Sequence, residues 1–353
     1  MISRPILALD ASHGEGGGQI VRTALALAVA LERSVTLTGV RARRPKPGLR
    51  PQHLTVVRAL AAMSEADVSG DDLGSTELSF TPRGRRGGEY RFDVGAIQGS
   101  AGSVVLVLQS LLLPLIFADT PSRLILTGGT HVPWSPTVHY LSEVFVPLLN
   151  ALGVEVSVAL RRWGWYPAGG GELEAAIAPI RRLEPFVEDR RTARPHIVGV
   201  SAVSHLPRSI AERQRRRAEE RLAMAGLAAD IAVEEDATAL GAGTLLFLGV
   251  RGRAGFSALG RRGLPAERVA DEAADQLLAW HASGAAVDEH LADQLAPFLA
   301  LAHQPSAFSC PRLSPHLETV VWVIQRFLCI PCTLDAAACP ARVVIQPGAG
   351  APS

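Results

Sequence analysis

The 353-residue chain is short of several things at once. Aromatic residues make up 5% of it, so stacked rings are not expected to dominate contacts with nucleic-acid bases. The formal charge of +1 excludes a globally basic surface, although a local basic cluster can still engage phosphates. No window approaches the roughly 18 uninterrupted apolar residues of a membrane span. The N-terminus lacks a basic segment followed by a long apolar run, so no secretory signal is expected. Cysteine is scarce and late: Cys310, Cys329, Cys332 and Cys339. Cys329-Ile-Pro-Cys332 has CxxC spacing but no second pair of ligands, which favours reduced thiols in a cytoplasmic protein over a zinc or redox site. HExxH is absent, and the glycine clusters match neither GxxxxGK[ST] nor a clean GxGxxG. What remains is a soluble globular chain, 48% hydrophobic and 20% charged, long enough for two domains with substantial cores.

Its organisation is a repeat. The pattern predicts a strand over 6–10, a glycine loop over 12–18, an apolar helix over 19–31, a strand over 34–40, a Pro/Arg loop over 41–52 and a helix over 53–64. The same order returns as a strand over 90–95, a Gly/Ser loop over 97–102, a helix over 103–117, a strand over 122–127, a loop over 128–136 and a helix over 137–152. Strands near 154–160 and 172–178 follow. A third copy is interrupted, with a helix over 285–302 and a loop plus second helix over 311–328. Pro47-Gly-Leu-Arg-Pro-Gln-His53 and Pro311-Arg-Leu-Ser-Pro-His316 place the same Pro-x-Leu-x-Pro ahead of a histidine that opens a helix, and matching loops of a repeat often face one site. Residues 185–282 differ in composition and read as an inserted βαββα module: strand 196–203, helix 207–226, strands 229–234 and 243–250, helix 265–282. The expected organisation is an α/β (α+β) protein: a large catalytic domain from 1–184 and 283–340, a small inserted domain over 185–282, and a C-terminal strand with a flexible tail over 341–353, disordered from 347.

Several clusters carry chemistry. Gly14-Glu-Gly-Gly-Gly-Gln-Ile-Val-Arg22 sits at a strand-to-helix junction, where glycines admit a ligand and the helix start favours an anion. Its Glu15, Gln19 and Arg22 suit a phosphate-bearing substrate with a divalent metal; the alternative is a tight turn before a buried helix. Arg41-Ala-Arg-Arg44-Pro-Lys46-Pro-Gly-Leu-Arg50-Pro-Gln52-His53 is the densest cation cluster, stiffened by prolines, and its guanidinium forks suit phosphate oxygens. A solvated basic loop is the alternative. A neutral His316 could attack an activated phosphorus to form a phosphoramidate, or be a satisfied structural histidine. Ser100-Ala-Gly-Ser103 could offer amides to a phosphate or only cap a helix through Ser103. His290 and Asp293 share one helix face. Arg213–Arg217 reads as an exposed face balanced by Glu212, Glu219 and Glu220.

These residues carry a resemblance. Gly14–Arg22, Arg41-Ala-Arg-Arg44, Lys46-Pro-Gly48, Gln52-His53-Leu-Thr55, Gly99-Ser-Ala-Gly102, Gly128-Gly-Thr130, Tyr166-Pro-Ala-Gly-Gly-Gly171 and His290-Leu-Ala-Asp-Gln294 follow in the order expected of the RNA 3′-terminal phosphate cyclases. The match spans about residues 5–184 and 283–335 and is weak in the insert. The resemblance implies three βαβαββ-type modules with an inserted thioredoxin-like α/β module. It implies ATP and Mg²⁺ or Mn²⁺ as cofactors, and an RNA with a 3′-terminal phosphate as partner. It also implies three steps: a histidine takes the adenylyl group of ATP, the group passes to the RNA phosphate, and the neighbouring 2′-hydroxyl closes a 2′,3′-cyclic phosphate with release of AMP. By position, His316 matches the nucleophile and Glu15 the metal-engaging residue. Arg22, Arg44, Gln52 and His53 match further catalytic positions. Gln109, Pro136, His290, Leu291, Asp293 and Gln294 match ATP-binding positions, and Arg41, Arg44, Lys46 and Gln19 phosphate- or RNA-binding ones. His290 stands where the family commonly has a tyrosine that stacks on adenine, and Ser309–Pro315 departs from the usual sequence before the nucleophile. A cytoplasmic protein without membrane contact is expected, and a homodimer is compatible with the reading. Competing readings are a non-catalytic cyclase-like protein in ribosomal RNA maturation, an enolpyruvyl transferase with similar modules, and a binding module for RNA ends. An insert that guides RNA through Arg213–Arg217 is a further expectation.

Overall fold

The computed structural model describes residues 5–348, and one module recurs in it three times. The first runs β1 (Leu7–Asp10), α1 (Gly18–Ala30), β2 (Val35–Thr38), α2 (Pro51–Ser64), β3 (Asp67–Ser69) and β4 (Leu78–Thr81). Its sheet order is β1-β2-β4-β3, with β1 parallel to β2 and the other neighbours antiparallel. A parallel pair needs a crossover, which α1 supplies. The second runs β5 (Glu89–Asp93), α3 (Val104–Leu115), β6 (Ser122–Gly128), α4 (Val138–Tyr140), α5 (Val146–Ala151), β7 (Glu155–Arg162) and β8 (Gly171–Ala178), in the equivalent order β5-β6-β8-β7. After the short strand β9 (Val187–Glu188), the chain builds a separate sheet from β10 (Ile197–Ser204), α6 (Arg208–Met224), β11 (Ala229–Asp236), β12 (Gly243–Val250), β13 (Ala254–Leu259) and α7 (Ala266–Ser283). It then returns through α8 (Glu289–Leu299), β14 (Ser306–Cys310), α9 (Pro315–Leu328), β15 (Cys332–Asp335) and β16 (Ala341–Ile345) to close β9-β14-β16-β15, again the same order.

The first helix of each module is apolar almost all round and therefore buried. In α1 only Gly18, Gln19 and Arg22 escape full burial. In α3 they are Leu106 and Gln109, and in α8 Glu289, His290 and Gln294. These exceptions decide where a ligand can reach the core. The strands alternate instead, as in β6, where Ser122, Leu124, Leu126 and Gly128 are buried and Arg123, Ile125 and Thr127 are not. No helix among the described residues is long and apolar enough to cross a membrane.

Several expected elements need correction. β3 and β4 are not among the elements the period predicts, because they are short and half exposed, though the βαβαββ pattern implied by the resemblance has room for both. β9 lies inside the segment 185–282 yet pairs with β14, and β16 is an inner strand of the third sheet rather than an appendage. The Gly/Arg-rich stretch between the strand expected over 243–250 and the helix expected over 265–282 contains β13, so that unit is βαβββα and not βαββα. The helix expected over 137–152 is broken by a π-helical turn at Leu141–Phe145. Pro147 has no N–H for the Glu143 carbonyl, which accepts one from Gly252 instead. Arg213, Arg217 and Arg221 of α6 face Glu267, Asp271 and Asp275 of α7, the first two at 2.8 Å. These arginines are committed to helix packing, which weakens the case for an RNA guide. The expected tail falls partly outside the described residues, from 349 onward.

The fourth sheet has its own apolar cluster around Trp280, while Ala202, Leu245 and Phe247 reach into the main core. The seam is tight at Trp165, whose indole N–H donates to Ser204 Oγ at 2.7 Å. A Cβ at Gly243 would stand 2.1 Å from that ring. Gly243→Ala should lower the unfolding free energy by about 1–3 kcal/mol, the range for an overpacked core. Denaturant midpoints would report it, and an unchanged midpoint would refute such close packing.

Candidate active site

The three polar exceptions converge. A cavity of about 470 Å³ lies among α1, α3 and α8, lined by Gln19 and Arg22, by Leu106 and Gln109, and by His290, Asp293 and Gln294. Gln109 Nε2 donates to Gln294 Oε1 at 2.6 Å, joining two modules across it. Pro136 and Trp134 form one lip, Phe256 and Phe298 add apolar wall, and His316 stands at the start of α9. The cavity is apolar over much of its lining with a few convergent polar groups, the usual form of a small-molecule site.

An ionic centre adjoins it. Nδ1 of His316 and Oε1 of Glu15 stand 2.9 Å apart, but off the line of a good hydrogen bond, so each is buried without an aligned partner. Arg44 Nη2 approaches Glu15 Oε2 at 3.2 Å. The glycine run makes this possible. A Cβ on Gly17 would sit 2.8 Å from Glu15 Oε1 and 2.7 Å from Arg44 Nη2. One on Gly18 would sit 2.1 Å from His53 Nε2. The two loops expected from the repeat therefore do meet at Glu15: one supplies Arg44, the other His316.

Charge and burial set the protonation states. His316 is held above the ordinary imidazole value by the Glu15 carboxylate beside it, against the pull of burial. For Glu15, burial favours the neutral acid, but His316, Arg44 and Arg22 outweigh it and keep the carboxyl low. Arg22 is half-buried at the cavity wall, and desolvation brings it down to about 10 despite Asp293 and Glu15. Asp293 is pushed up to about 7 by burial. Glu15 is the residue expected to engage a metal. No cluster of three or more His, Cys, Asp or Glu among the described residues could hold an ion alone. A buried carboxylate oxygen without an aligned partner suits a Mg²⁺ or Mn²⁺ carried mainly by substrate phosphates and water.

Other expected residues also make contacts within the scaffold. Gln52 Oε1 accepts the Ser103 N–H at 2.9 Å, fixing the start of α3. His53 is buried and brought down to about 3 by desolvation; its Nδ1 accepts the Arg50 N–H at 3.2 Å, so it is a neutral packing group. Arg41 donates to Lys46 O at 2.7 Å and Gly48 O at 3.2 Å, holding its own loop, while Lys46 is exposed. Gln19 accepts from Arg22 and orients it. Leu291 is fully buried in the core, so its side chain is not open to a ligand; its N–H donates to Asp288 at 2.8 Å. Sequence reading passed over Asp288, the N-cap of α8, which also takes the Gly255 N–H and the Tyr140 hydroxyl. An Asp just ahead of a periodic helix was the available signal. It also passed over Trp134, 97% exposed on the cavity lip with φ +58.

The raised Asp293 has a definite pH signature. The folded state keeps a proton that the unfolded chain releases near pH 4, so stability is highest below that value and falls as pH rises to about 7. Asp293→Asn should remove this slope, gaining on the parent between pH 5 and 7 in denaturant midpoints. Parallel profiles would show that Asp293 ionises normally.

The fold and cavity define an α/β protein of three like modules whose first helices enclose a ligand-sized cavity, with a histidine–carboxylate–arginine centre at its edge. The chain belongs to the RNA 3′-terminal phosphate cyclase family, whose profile matches residues 13–334. A protein named RNA 3′-terminal phosphate cyclase from Methylococcus capsulatus is 49% identical over 331 residues, covering 91% of each chain. One of the same name from Gloeothece citriformis is 44% identical, over 91% of this chain and 93% of its own. Another from Pyrobaculum neutrophilum is 40% identical over 350 residues, 98% of this chain and 99% of its own. Among solved structures, an enolpyruvyl transferase from Streptomyces tendae covers 99% of this chain and 50% of its own, at a TM-score of 0.38 and 12% identity, too slight a likeness to bear on function.

Proposed function

We propose that this chain converts an RNA 3′-terminal phosphate to a 2′,3′-cyclic phosphodiester, driven by ATP through a covalent histidine–AMP intermediate. The observation that carries the reading is the 2.9 Å approach of Glu15 Oε1 to His316 Nδ1 beside the cavity. A carboxylate at Nδ1 selects the tautomer with the proton on that nitrogen, leaving Nε2 as the nucleophile. Nε2 attacks the α-phosphorus of ATP; a P–N bond forms and pyrophosphate leaves. An oxygen of the RNA 3′-phosphate then displaces His316 from the adenylyl phosphorus, giving RNA(3′)pp(5′)A. The ribose 2′-hydroxyl attacks the RNA phosphorus, loses its proton, closes the ring and expels AMP. Adenylylation matters because a phosphate monoester has no good leaving group, and closure is then intramolecular.

In this reading the adenine lies between Pro136 and His290, which offers a smaller stacking face than tyrosine, and Gln109, Asp293 and Gln294 complete the nucleotide site. Arg22 faces the phosphates from inside the cavity, and Arg44 faces the incoming RNA phosphate from the loop. Glu15 would hold Mg²⁺ or Mn²⁺, which when bound offsets charge on phosphate oxygens. The first three sheets and their helices form the catalytic body, with the β10–β13 unit as an inserted domain. Retention of His316 with its carboxylate supports the enzyme over a non-catalytic relative.

ATP labelled at the α-phosphate should therefore mark the protein covalently, through a linkage labile to acid and stable to alkali. His316→Ala should abolish the label with no change in the unfolding midpoint, since that side chain is 43% exposed. Labelling that persists in this variant would remove His316 from its role. Arg44→Ala should slow transfer to the RNA phosphate by about 10²-fold, the scale for losing one preorganised donor. Unchanged cyclisation kinetics would show that the basic loop does not hold that phosphate.

A further inference from the structure

The glycine loop and α9 interlock residue by residue. Glu15 meets His316, and Gly14 meets Thr319, whose Oγ1 would stand 2.4 Å from a Cβ at position 14. His13 meets Trp322, ring centroids 4.1 Å apart and planes 13° from parallel. His316, Thr319 and Trp322 follow the i+3 ridge of α9, so the interlock travels about 9 Å along the helix, away from the cavity. It ends in the open: His13 is exposed, Trp322 is half-buried, and the Arg326 guanidinium lies 5.4 Å from the Trp322 ring centroid.

His13 is not needed to hold the loop. Its N–H donates to Asp10 O at 3.2 Å, its carbonyl accepts from Gly16 at 3.0 Å, and Arg43 Nη1 clamps Gly14 O at 3.0 Å. The imidazole, backed by an indole and a guanidinium, is thus a flat, supported ring whose outer face has solvent in front of it. Arg43 and Arg326 are exposed cations nearby; the neighbouring carboxylate, Asp10, is engaged by the Ser12 N–H and feels the charge of Arg43.

We propose that the outer face of His13, supported by Trp322 and Arg326, is a platform on which a base of the RNA stacks, just upstream of the 3′-phosphate presented to His316. The inference rests on the reading that an RNA 3′-phosphate is the acceptor. Aromatic rings, histidine among them, accept unstacked bases with little sequence preference, and exposed arginines follow the backbone. The chain therefore has a route for single-stranded RNA that starts at the ionic centre and runs outward along α9, on a segment separate from the nucleotide cavity.

Two substrates and two steps test it: covalent labelling by α-labelled ATP, and cyclisation of a 3′-phosphorylated oligoribonucleotide against a nucleoside 3′-monophosphate that has no upstream base. In His13→Ala and in Trp322→Leu, labelling should proceed as in the parent. The KM for the oligonucleotide should rise about 10-fold, the scale of one lost base stack, and the KM for the nucleoside 3′-monophosphate should not move. Trp322→Phe should restore the parent KM. An oligonucleotide KM unchanged in His13→Ala overturns the platform, and so does labelling that falls in step with cyclisation, since the stack would then only hold the loop. A parent protein that labels with ATP but cyclises neither substrate refutes the proposed acceptor itself, and the platform with it.

Discussion

Arg22 is a positive charge half-buried at the wall of the cavity, and the site is arranged around making that tolerable. A buried guanidinium needs anionic or hydrogen-bonding company, because desolvation alone costs several kcal/mol per ion. Its donors reach Gln19 one turn earlier, and its charge is felt by Asp293 of α8 and Glu15 of the glycine loop. Each comes from a different segment, so satisfying one cation ties the first module to the third. The price is visible in Arg22 itself, brought down to about 10. What the protein keeps in return is a cation facing a low-dielectric cavity, where its field acts on a phosphate far more strongly than a solvated arginine could.

The repeat explains why such a site forms in one place. Three first helices, each too apolar to face water, pack together, and the residues that break their apolar pattern sit on the faces where they meet. The second helices behave differently. His53 and His316 both open one, behind matching proline loops, yet His53 turns inward against Gly18 as a neutral packing group and His316 edges the cavity beside a carboxylate. The echo is offset by one residue: His53 is the third residue of its helix and His316 the second, so the two rings leave their helices about 100° apart, and only His316 reaches the cavity edge.

Much of this was legible in the chain itself. The module order could be read because its apolar helices and alternating strands change period sharply, and the Pro-x-Leu-x-Pro echo ahead of a histidine located the loops that meet at Glu15. Short strands such as β3 and β9 could not be read, since two or three half-exposed residues carry no period. Nor could β13, whose Gly/Arg-rich surroundings mimic a loop. The cation cluster was legible as a cluster but not by member: Arg41 and Arg43 are spent on backbone carbonyls, and only Arg44 meets the glutamate. That division depends on a left-handed backbone at Arg41, with φ +53, which composition does not announce.

Asp293 completes the electrostatic argument. A carboxylate facing a cavity proposed to take a polyphosphate would repel it, and formal charges alone would make this an awkward residue. Burial raises it to about 7, so near neutrality a large fraction is an uncharged acid, able to donate a hydrogen bond rather than repel. Glu15 is shifted the other way: against the pull of burial, His316, Arg44 and Arg22 keep it in its ionised form, outside the cavity lining. The two acids therefore divide the work by environment. The ionised one stands beside the histidine and the loop arginine, and the raised one carries less negative charge against Arg22 in the cavity, which eases the approach of an anionic group.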